Sequence, residues 1–133
     1  DRGAPVFTRA CSACHSFRGA GGKVGPDLTG MRSQPGDALL LHILVPNYEV
    51  VPAYQAITVT LQDGRSVSGC VTAETDASLT LRTASGGEET VLRGAVAATA
   101  STGVSLMPDG LEQTMTREEL ADLIAYLKSD PAP

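Results

Sequence analysis

Apolar residues recur at helical spacing in the first third of the chain. Pro5 suits the first turn of a helix, and the apolar positions that follow it predict a helix over about 5–14. Asp37 is a candidate cap for a second helix over 38–45. Glycines and prolines crowd the segment between these helices, so residues 16–36 are predicted to form a compact irregular loop.

A helical pattern returns near the C-terminal end of the chain. Thr116 and Glu119 have the spacing of a capping box, in which each side chain bonds the backbone amide of the other residue. Met115 lies just before this cap and is placed to pack on Leu120. A third helix is therefore predicted over 116–128.

The pattern changes between residues 55 and 92, where apolar residues alternate with polar ones. This period of two predicts four short strands in an antiparallel meander. Its apolar members are Ile57, Val59, Leu61, Val67, Val71, Leu79, Leu81 and Val91. A two-residue turn would put opposite faces of the first two strands together, whereas a three-residue loop over 62–64 opposes Val59 to Val67. Gly64 is then expected in the left-handed conformation.

Length, charge and composition narrow the class of protein. The 133 residues fit one compact domain, and the formal net charge of −5 disfavours binding to nucleic acid or an anionic membrane. The longest apolar stretch, 39–45, is far shorter than the roughly 20 residues of a membrane-spanning helix. Aromatic residues make up only 4% of the chain, so a large flat non-protein group is one way to fill the core.

Two cysteines and a histidine fall close together at Cys11, Cys14 and His15. The pattern Cys-x-x-Cys-His is the attachment sequence for c-type haem, in which the thiols add to the two vinyl groups and the histidine binds the iron. One covalently bound haem c per chain is therefore expected, with His15 as an iron ligand.

Two alternatives use the same residues. A zinc site would need further ligands, for which only Cys70 and His42 remain, and neither belongs to a paired motif. A thioredoxin-like redox pair would follow a strand and begin a helix, whereas this motif ends the predicted first helix.

The order of several motifs resembles that of class I c-type cytochromes. The motifs are Gly3-x-x-x-Phe7, Cys11-x-x-Cys14-His15, Gly25-Pro26-Asp27-Leu28, Met107-Pro108 and the closing segment from Leu120 to Leu127. The resemblance covers about 1–52 and 99–130. It implies the class I cytochrome c helical fold, whose N- and C-terminal helices cross over the haem. The alternating segment departs from this all-helical pattern and is expected to be an inserted small antiparallel β-meander or barrel over 53–98, which makes the protein α+β. Residues 1–133 would then form a single cytochrome c domain.

The resemblance also implies roles for individual residues. The Pro26 carbonyl would accept a hydrogen bond from the second ring nitrogen of His15, and Leu127 would lie near the haem edge. Phe7 and Tyr126 would pack together. The expected cofactor-binding residues are Cys11, Cys14, His15, Pro26, Met107 and Leu127, and no catalytic residue is expected.

Met107 is the expected second axial ligand to the iron. It lies just before Pro108, which restricts its backbone to extended conformations and could present the sulfur rigidly. Met115 is already explained as a packing residue at a helix cap. Met31 and His42 remain as the other candidates for the ligand.

Further segments are similar to the haem-binding domains at the C-termini of large bacterial dehydrogenase-like proteins. These segments are Ile43 to Asn47, Tyr54 and Ser105 to Pro108. This likeness implies one-electron transfer, with no enzyme activity of its own, from a dehydrogenase donor to a downstream cytochrome or oxidase. A haem enzyme or gas sensor, whose labile sixth ligand gives way to peroxide, NO or CO, is the alternative. A pure interaction module that keeps haem for stability is a third possibility.

The chemistry also predicts a location. Covalent haem attachment implies export, so a periplasmic or extracytoplasmic protein is expected, with redox proteins as partners and no membrane span in this chain. The remaining cysteine, Cys70, falls on the polar face of its strand and is predicted to be a half-exposed, unreactive thiol.

Overall fold

The computed structural model describes residues 1–131, so residues 132–133, the end of the predicted single domain, lie outside the described residues. The chain divides into two compact units. The first contains Asp1–Glu49 together with the segment that follows Leu106, and the second contains Val50–Leu106. The prediction of one cytochrome c domain with an insertion over 53–98 stays a prediction.

Three helices and one small sheet form the first unit. Their bounds are Gly3–Ala10 for α1, Ser16–Phe17 for β1, Ala20–Gly21 for β2, Gly36–Leu44 for α2 and Arg117–Lys128 for α3, with 3-10 helices at Thr29–Ser33 and Leu111–Thr114. β1 and β2 pair across Arg18 and Gly19, which both have positive φ, at 53° and 83°. Two left-handed residues are what a tight hairpin turn requires, so the predicted irregular loop begins with a small hairpin.

The first helix ends earlier than the predicted residue 14. The amides of Cys11 and Ser12 both donate to the Phe7 carbonyl, at 2.9 and 3.0 Å. Cys11 has already left the helical region of backbone conformation, with φ −124° and ψ −33°. α1 therefore ends at Ala10.

The first helix packs closely against the last one at Gly3. A Cβ atom on Gly3 would lie 2.1 Å from the backbone oxygen of Asp122 and 2.4 Å from Cβ of Tyr126. The Phe7 and Tyr126 rings lie 6.0 Å apart between their centroids, and Phe17 completes an aromatic cluster with both. The buried core of this unit consists of Val6, Phe7, Phe17, Ile43, Leu123 and Leu127.

The predicted capping box at the start of α3 is confirmed. The Thr116 hydroxyl accepts a hydrogen bond from the Glu119 amide at 3.1 Å, and the Glu119 carboxylate accepts one from the Thr116 amide at 2.8 Å. Arg9 on α1 also pairs with the Glu119 carboxylate at 3.1 Å. One side chain therefore caps α3 and links it to α1.

The second unit is a five-stranded antiparallel sheet in the order β6-β5-β4-β3-β7. The strands are β3 at Gln55–Leu61, β4 at Ser66–Glu74, β5 at Ser78–Arg82, β6 at Glu88–Leu92 and β7 at Val96–Ser105, with 3-10 helices at Pro52–Tyr54 and Arg93–Ala95. Its buried core consists of Val59, Leu61, Val67, Leu79, Leu81 and Val91. All six of these residues belong to the alternating pattern of the sequence.

The register of the first hairpin is confirmed. Val59 pairs with Val67 across β3 and β4. Gly64 closes the turn at φ +90°, the left-handed conformation that the three-residue loop requires. The pattern of one buried face was therefore sufficient to set this register.

The predicted fold class is wrong. Within residues 1–131, the structure combines three short α-helices with seven strands and is dominated by the five-stranded antiparallel sheet, so it is not a class I helical cytochrome fold with a small β insertion. The ten-residue β7 is longer than any strand of the predicted meander and lies at an edge of the sheet. Nearly every residue of β7 is exposed, so no alternation of apolar and polar residues revealed it.

The expectation of a half-exposed thiol at Cys70 is also wrong. Cys70 is only 4% exposed, and the 3-10 helix Pro52–Tyr54 packs against its strand, β4. Burial raises the pKa of the Cys70 thiol above its ordinary value. The alternation of apolar and polar residues along the strand did not reveal this burial.

Gly3→Ala is expected to lower the free energy of unfolding by about 1–3 kcal/mol, because the new methyl group overlaps backbone atoms of α3. Gly36→Ala is the matched control, since Gly36 also begins a helix but its Cβ would meet nothing nearer than 3.7 Å. Chemical denaturation measures both variants. Equal stability of the two would contradict the close contact between α1 and α3.

Stability is also expected to depend on pH through Glu119. Hydrogen bonds from the Thr116 amide and the Arg9 side chain lower the pKa of Glu119 in the folded protein. The ionised carboxylate therefore stabilises the fold above about pH 4.5, and this contribution is lost as the pH falls further. Glu119→Gln should destabilise the protein at neutral pH and approach the wild type at pH 3.

Glu118→Gln is the control for this prediction. It removes the same charge from the same helical turn, but the capping box does not involve Glu118. Unfolding curves at several pH values compare the two variants with the wild type. A constant difference between Glu119→Gln and the wild type at every pH would contradict the prediction.

Candidate functional site

The Cys-x-x-Cys-His segment forms a tight turn directly after α1. The amides of Cys14 and His15 both donate to the Cys11 carbonyl, at 3.1 and 2.9 Å. Cys11, Cys14 and His15 are each partly exposed, and both cysteines are free thiols. The turn therefore presents two thiols and an imidazole from one short stretch of backbone.

The His15 ring is oriented by the loop that follows it. Its Nδ1 atom lies 2.8 Å from the carbonyl oxygen of Pro26. A carbonyl oxygen only accepts hydrogen bonds, so Nδ1 carries the ring proton and donates it to Pro26. The other ring nitrogen, Nε2, then keeps its lone pair and is the atom that can bind a metal.

Close backbone contacts hold the loop on the Cys-x-x-Cys-His turn. The Gly22 amide donates to the Ser12 carbonyl and the Gly25 amide to the Cys14 carbonyl, both at 2.8 Å. A Cβ atom on Gly25 would lie 2.4 Å from Cε1 of His15 and 2.8 Å from Nδ1. Glycine is required at residue 25 because the backbone lies directly against the imidazole ring.

Cys11 lies beside the apolar core of the first unit. Its side chain packs against the buried cluster that includes Phe7 and Leu127. Burial raises the pKa of Cys11 to about 11, and the neighbouring Cys14 contributes to the increase. The Cys11 thiol is therefore protonated at neutral pH.

The candidate axial ligands differ in their surroundings. Met107 is partly buried against the same core cluster as Cys11, and Met115 also contacts that cluster. Met31 lies in the 3-10 helix Thr29–Ser33 and is partly exposed, whereas His42 lies on an exposed position of α2. Met107 and the motif cysteine Cys11 thus pack against the same apolar cluster.

The polar clamp around Asp27 was missed by the sequence analysis. Asp27 accepts hydrogen bonds from the Thr29 amide at 2.7 Å and from the Ser16 hydroxyl at 2.9 Å. Hydrogen bonds from Thr29 and Ser16 hold the pKa of Asp27 below its ordinary value. The Asp-x-Thr spacing is typical of such local turns and was the available signal.

Among residues 1–131, no three side chains of the histidine, cysteine, aspartate or glutamate type converge where they could hold a metal ion. Within the same described part of the chain, no helix has both the length and the apolar character needed to cross a membrane.

Comparison with known proteins identifies the class of protein as a c-type cytochrome. The family model described as cytochrome C oxidase, cbb3-type, subunit III matches residues 1–127. Because this match covers nearly the whole sequence, the chain belongs to that family. The chain is thus an electron-transfer cytochrome with covalently bound haem c. No curated protein matches the sequence.

The residues of the turn fit a covalently bound haem. Cys11 and Cys14 supply two thiols of the kind that form thioether bonds, and His15 supplies an imidazole whose Nδ1 is held by the Pro26 carbonyl, which leaves Nε2 as the ring nitrogen that can bind iron. Gly25 lies against this ring and has no side chain that would displace it. The chemistry of these donors suits the cofactor that the family implies.

Gly25→Ala is expected to displace the His15 ring and to lower the free energy of unfolding by about 1–3 kcal/mol. The hydrogen bond to Pro26 should be lost, which NMR would detect as rapid exchange of the ring Nδ1 proton with solvent. Gly30→Ala is the control in the same loop, because a Cβ atom there would meet nothing within 4 Å. A slowly exchanging ring proton in Gly25→Ala would contradict the contact.

Proposed function

We propose that this protein carries one haem c per chain, attached by thioether bonds to Cys11 and Cys14, and that it transfers single electrons between redox proteins. The hydrogen bond between His15 and Pro26 carries the proposal. It fixes the tautomer in which Nε2 of His15 can bind iron, next to two free thiols. When bound, the haem supplies an iron centre that alternates between the ferric and ferrous states.

Met107 is proposed as the second axial ligand. Its packing against the core cluster that Cys11 also contacts supports this role, and Pro108 restricts its backbone. Ligation by histidine and methionine favours reduced iron more than ligation by two histidines does. With both axial positions taken by side chains, the protein would exchange electrons without binding a substrate at the iron.

The protein's other residues would hold the site rigid. Leu127 belongs to the buried core that Cys11 and Met107 contact, so it is proposed to line the haem side of that core. The Pro26 carbonyl orients His15, and the hydrogen bonds of Gly22 and Gly25 hold the loop in place. A rigid site of this kind changes little in geometry between the two oxidation states of the iron.

The electron donor is proposed to be a dehydrogenase module and the acceptor a downstream cytochrome or oxidase. The motifs shared with haem-binding domains of dehydrogenase-like proteins support the donor. The formal net charge of −5 favours partners that present basic surfaces. Covalent haem attachment supports a periplasmic or extracytoplasmic location.

Met107→Ala is expected to abolish the weak far-red absorption band of methionine bound to ferric iron while the haem stays attached. Intact mass should show one haem on the wild type and on the variant. Met115→Ala and Met31→Ala are the controls, and both should keep the band. Loss of the band in Met31→Ala alone would show that Met31, and not Met107, is the ligand. An intact mass without haem would contradict the proposed function.

Carbon monoxide binding separates electron transfer from the haem enzyme or gas sensor. The reduced wild type is expected to bind CO slowly, because Met107 has to leave the iron first. Met107→Ala should bind CO rapidly, since it opens that position. Rapid binding by the wild type would favour the enzyme or sensor instead.

A further inference from the structure

We propose that Asp27 is a positioning residue, whose side chain holds the Pro26 carbonyl against His15 and thereby helps to set the reduction potential of the iron. The proposal rests on the proposed function, because it concerns the same histidine as iron ligand. It assigns a role to a polar side chain that touches neither the His15 ring nor the two thiols by any hydrogen bond that the structure shows.

Pro26 cannot anchor its own carbonyl through its backbone nitrogen. Proline has no amide hydrogen, so Pro26 donates no backbone hydrogen bond, and its carbonyl is held in place through the residues on either side. On one side the Gly25 amide donates to the Cys14 carbonyl at 2.8 Å. On the other side, Asp27 and Leu28 both form hydrogen bonds with Ser16.

Asp27 ties this second side to the residue that follows the histidine. Its carboxylate accepts from the Ser16 hydroxyl at 2.9 Å, and the Leu28 amide donates to the Ser16 carbonyl at 2.8 Å. His15 directly precedes Ser16 in the chain, and Pro26 directly precedes Asp27. The donor and the acceptor of the ring hydrogen bond are therefore each attached to one member of this hydrogen-bonded pair. A shift of Asp27 would change the distance between the His15 ring and the Pro26 carbonyl.

The hydrogen bonds that hold Asp27 continue through Thr29 and Arg18 to the end of α3. The Thr29 amide donates to Asp27 at 2.7 Å, and the Thr29 hydroxyl accepts from the Arg18 amide at 2.8 Å. Arg18 in turn donates to the backbone oxygen of Ser129 at 2.7 Å. Its guanidinium lies 4.5 Å from the centroid of the Phe17 ring, so packing reinforces the hydrogen bond.

Position, rather than charge, is the main expected effect of Asp27. The carboxylate is exposed, so water and salt screen its field at the iron site. A firmly held carbonyl strengthens the Nδ1–H hydrogen bond, which makes Nε2 of His15 a stronger electron donor. A stronger donor stabilises ferric iron and lowers the reduction potential.

The test compares Asp27→Ala with Asp27→Asn in haem-loaded protein. Alanine removes both hydrogen bonds, whereas asparagine removes the charge but keeps an acceptor for the Thr29 amide and a partner for Ser16. Asp27→Ala should raise the reduction potential and speed the exchange of the His15 Nδ1 proton about tenfold. Asp27→Asn should stay near the wild type in both measurements.

Two further variants complete the design. Asp63→Ala is the matched control, because Asp63 also accepts from an amide two residues later but lies in the turn between β3 and β4. It should change neither measurement. Ser16→Ala removes one of the two bonds to Asp27 and should give a smaller shift in the same direction, which keeps the proposal testable if Asp27→Ala does not fold.

The possible outcomes separate this proposal from the proposed function. Equal increases of the potential in Asp27→Ala and Asp27→Asn would show that charge acts instead of position and would overturn the proposal. A haem-loaded Asp27→Ala protein with wild-type potential and proton exchange would overturn it as well, while leaving electron transfer intact. A wild type without haem would overturn both.

Discussion

The hydrogen bond from the His15 ring to the Pro26 carbonyl joins two segments that are 11 residues apart, and the rest of the site depends on it. It fixes which ring nitrogen carries the proton, and therefore which one is available to a metal. Without it, the imidazole would be free to rotate and to exchange tautomers. The close contact of Gly25, the hydrogen bonds of the glycine loop and the Asp27 clamp all keep this one geometry in place.

Features of the chain that depend on neighbouring residues were predicted from the sequence. The capping box of Thr116 and Glu119 is local, and so is the turn that ends at Gly64. The pairing of Val59 with Val67 followed because one buried face permits only one register. The Cys-x-x-Cys-His motif is also local, since its chemistry requires three side chains from a single turn.

Features that depend on distant contacts were not predicted. β7 pairs with β3 from about 40 residues away in the chain, and its small, exposed side chains give no periodic signal. The fold class was wrong for this reason, because the sheet is larger than its apolar pattern indicated. Cys70 was misjudged because its burial depends on packing that the alternation along β4 does not show. The Asp27 clamp had a local signal in Asp-x-Thr, but its link to Ser16 had none.

A loop rich in glycine can nevertheless be rigid. Glycine loses more conformational freedom on folding than other residues, so each ordered glycine in the loop carries an entropic cost. The compensation lies in contacts that a side chain would prevent, such as that of Gly25 with the His15 ring. The amides of Gly22 and Gly25 donate hydrogen bonds to the Cys-x-x-Cys-His turn, and these bonds hold the glycine backbone in place. The same residues that make the unfolded loop flexible therefore allow the folded loop to fix an imidazole ring.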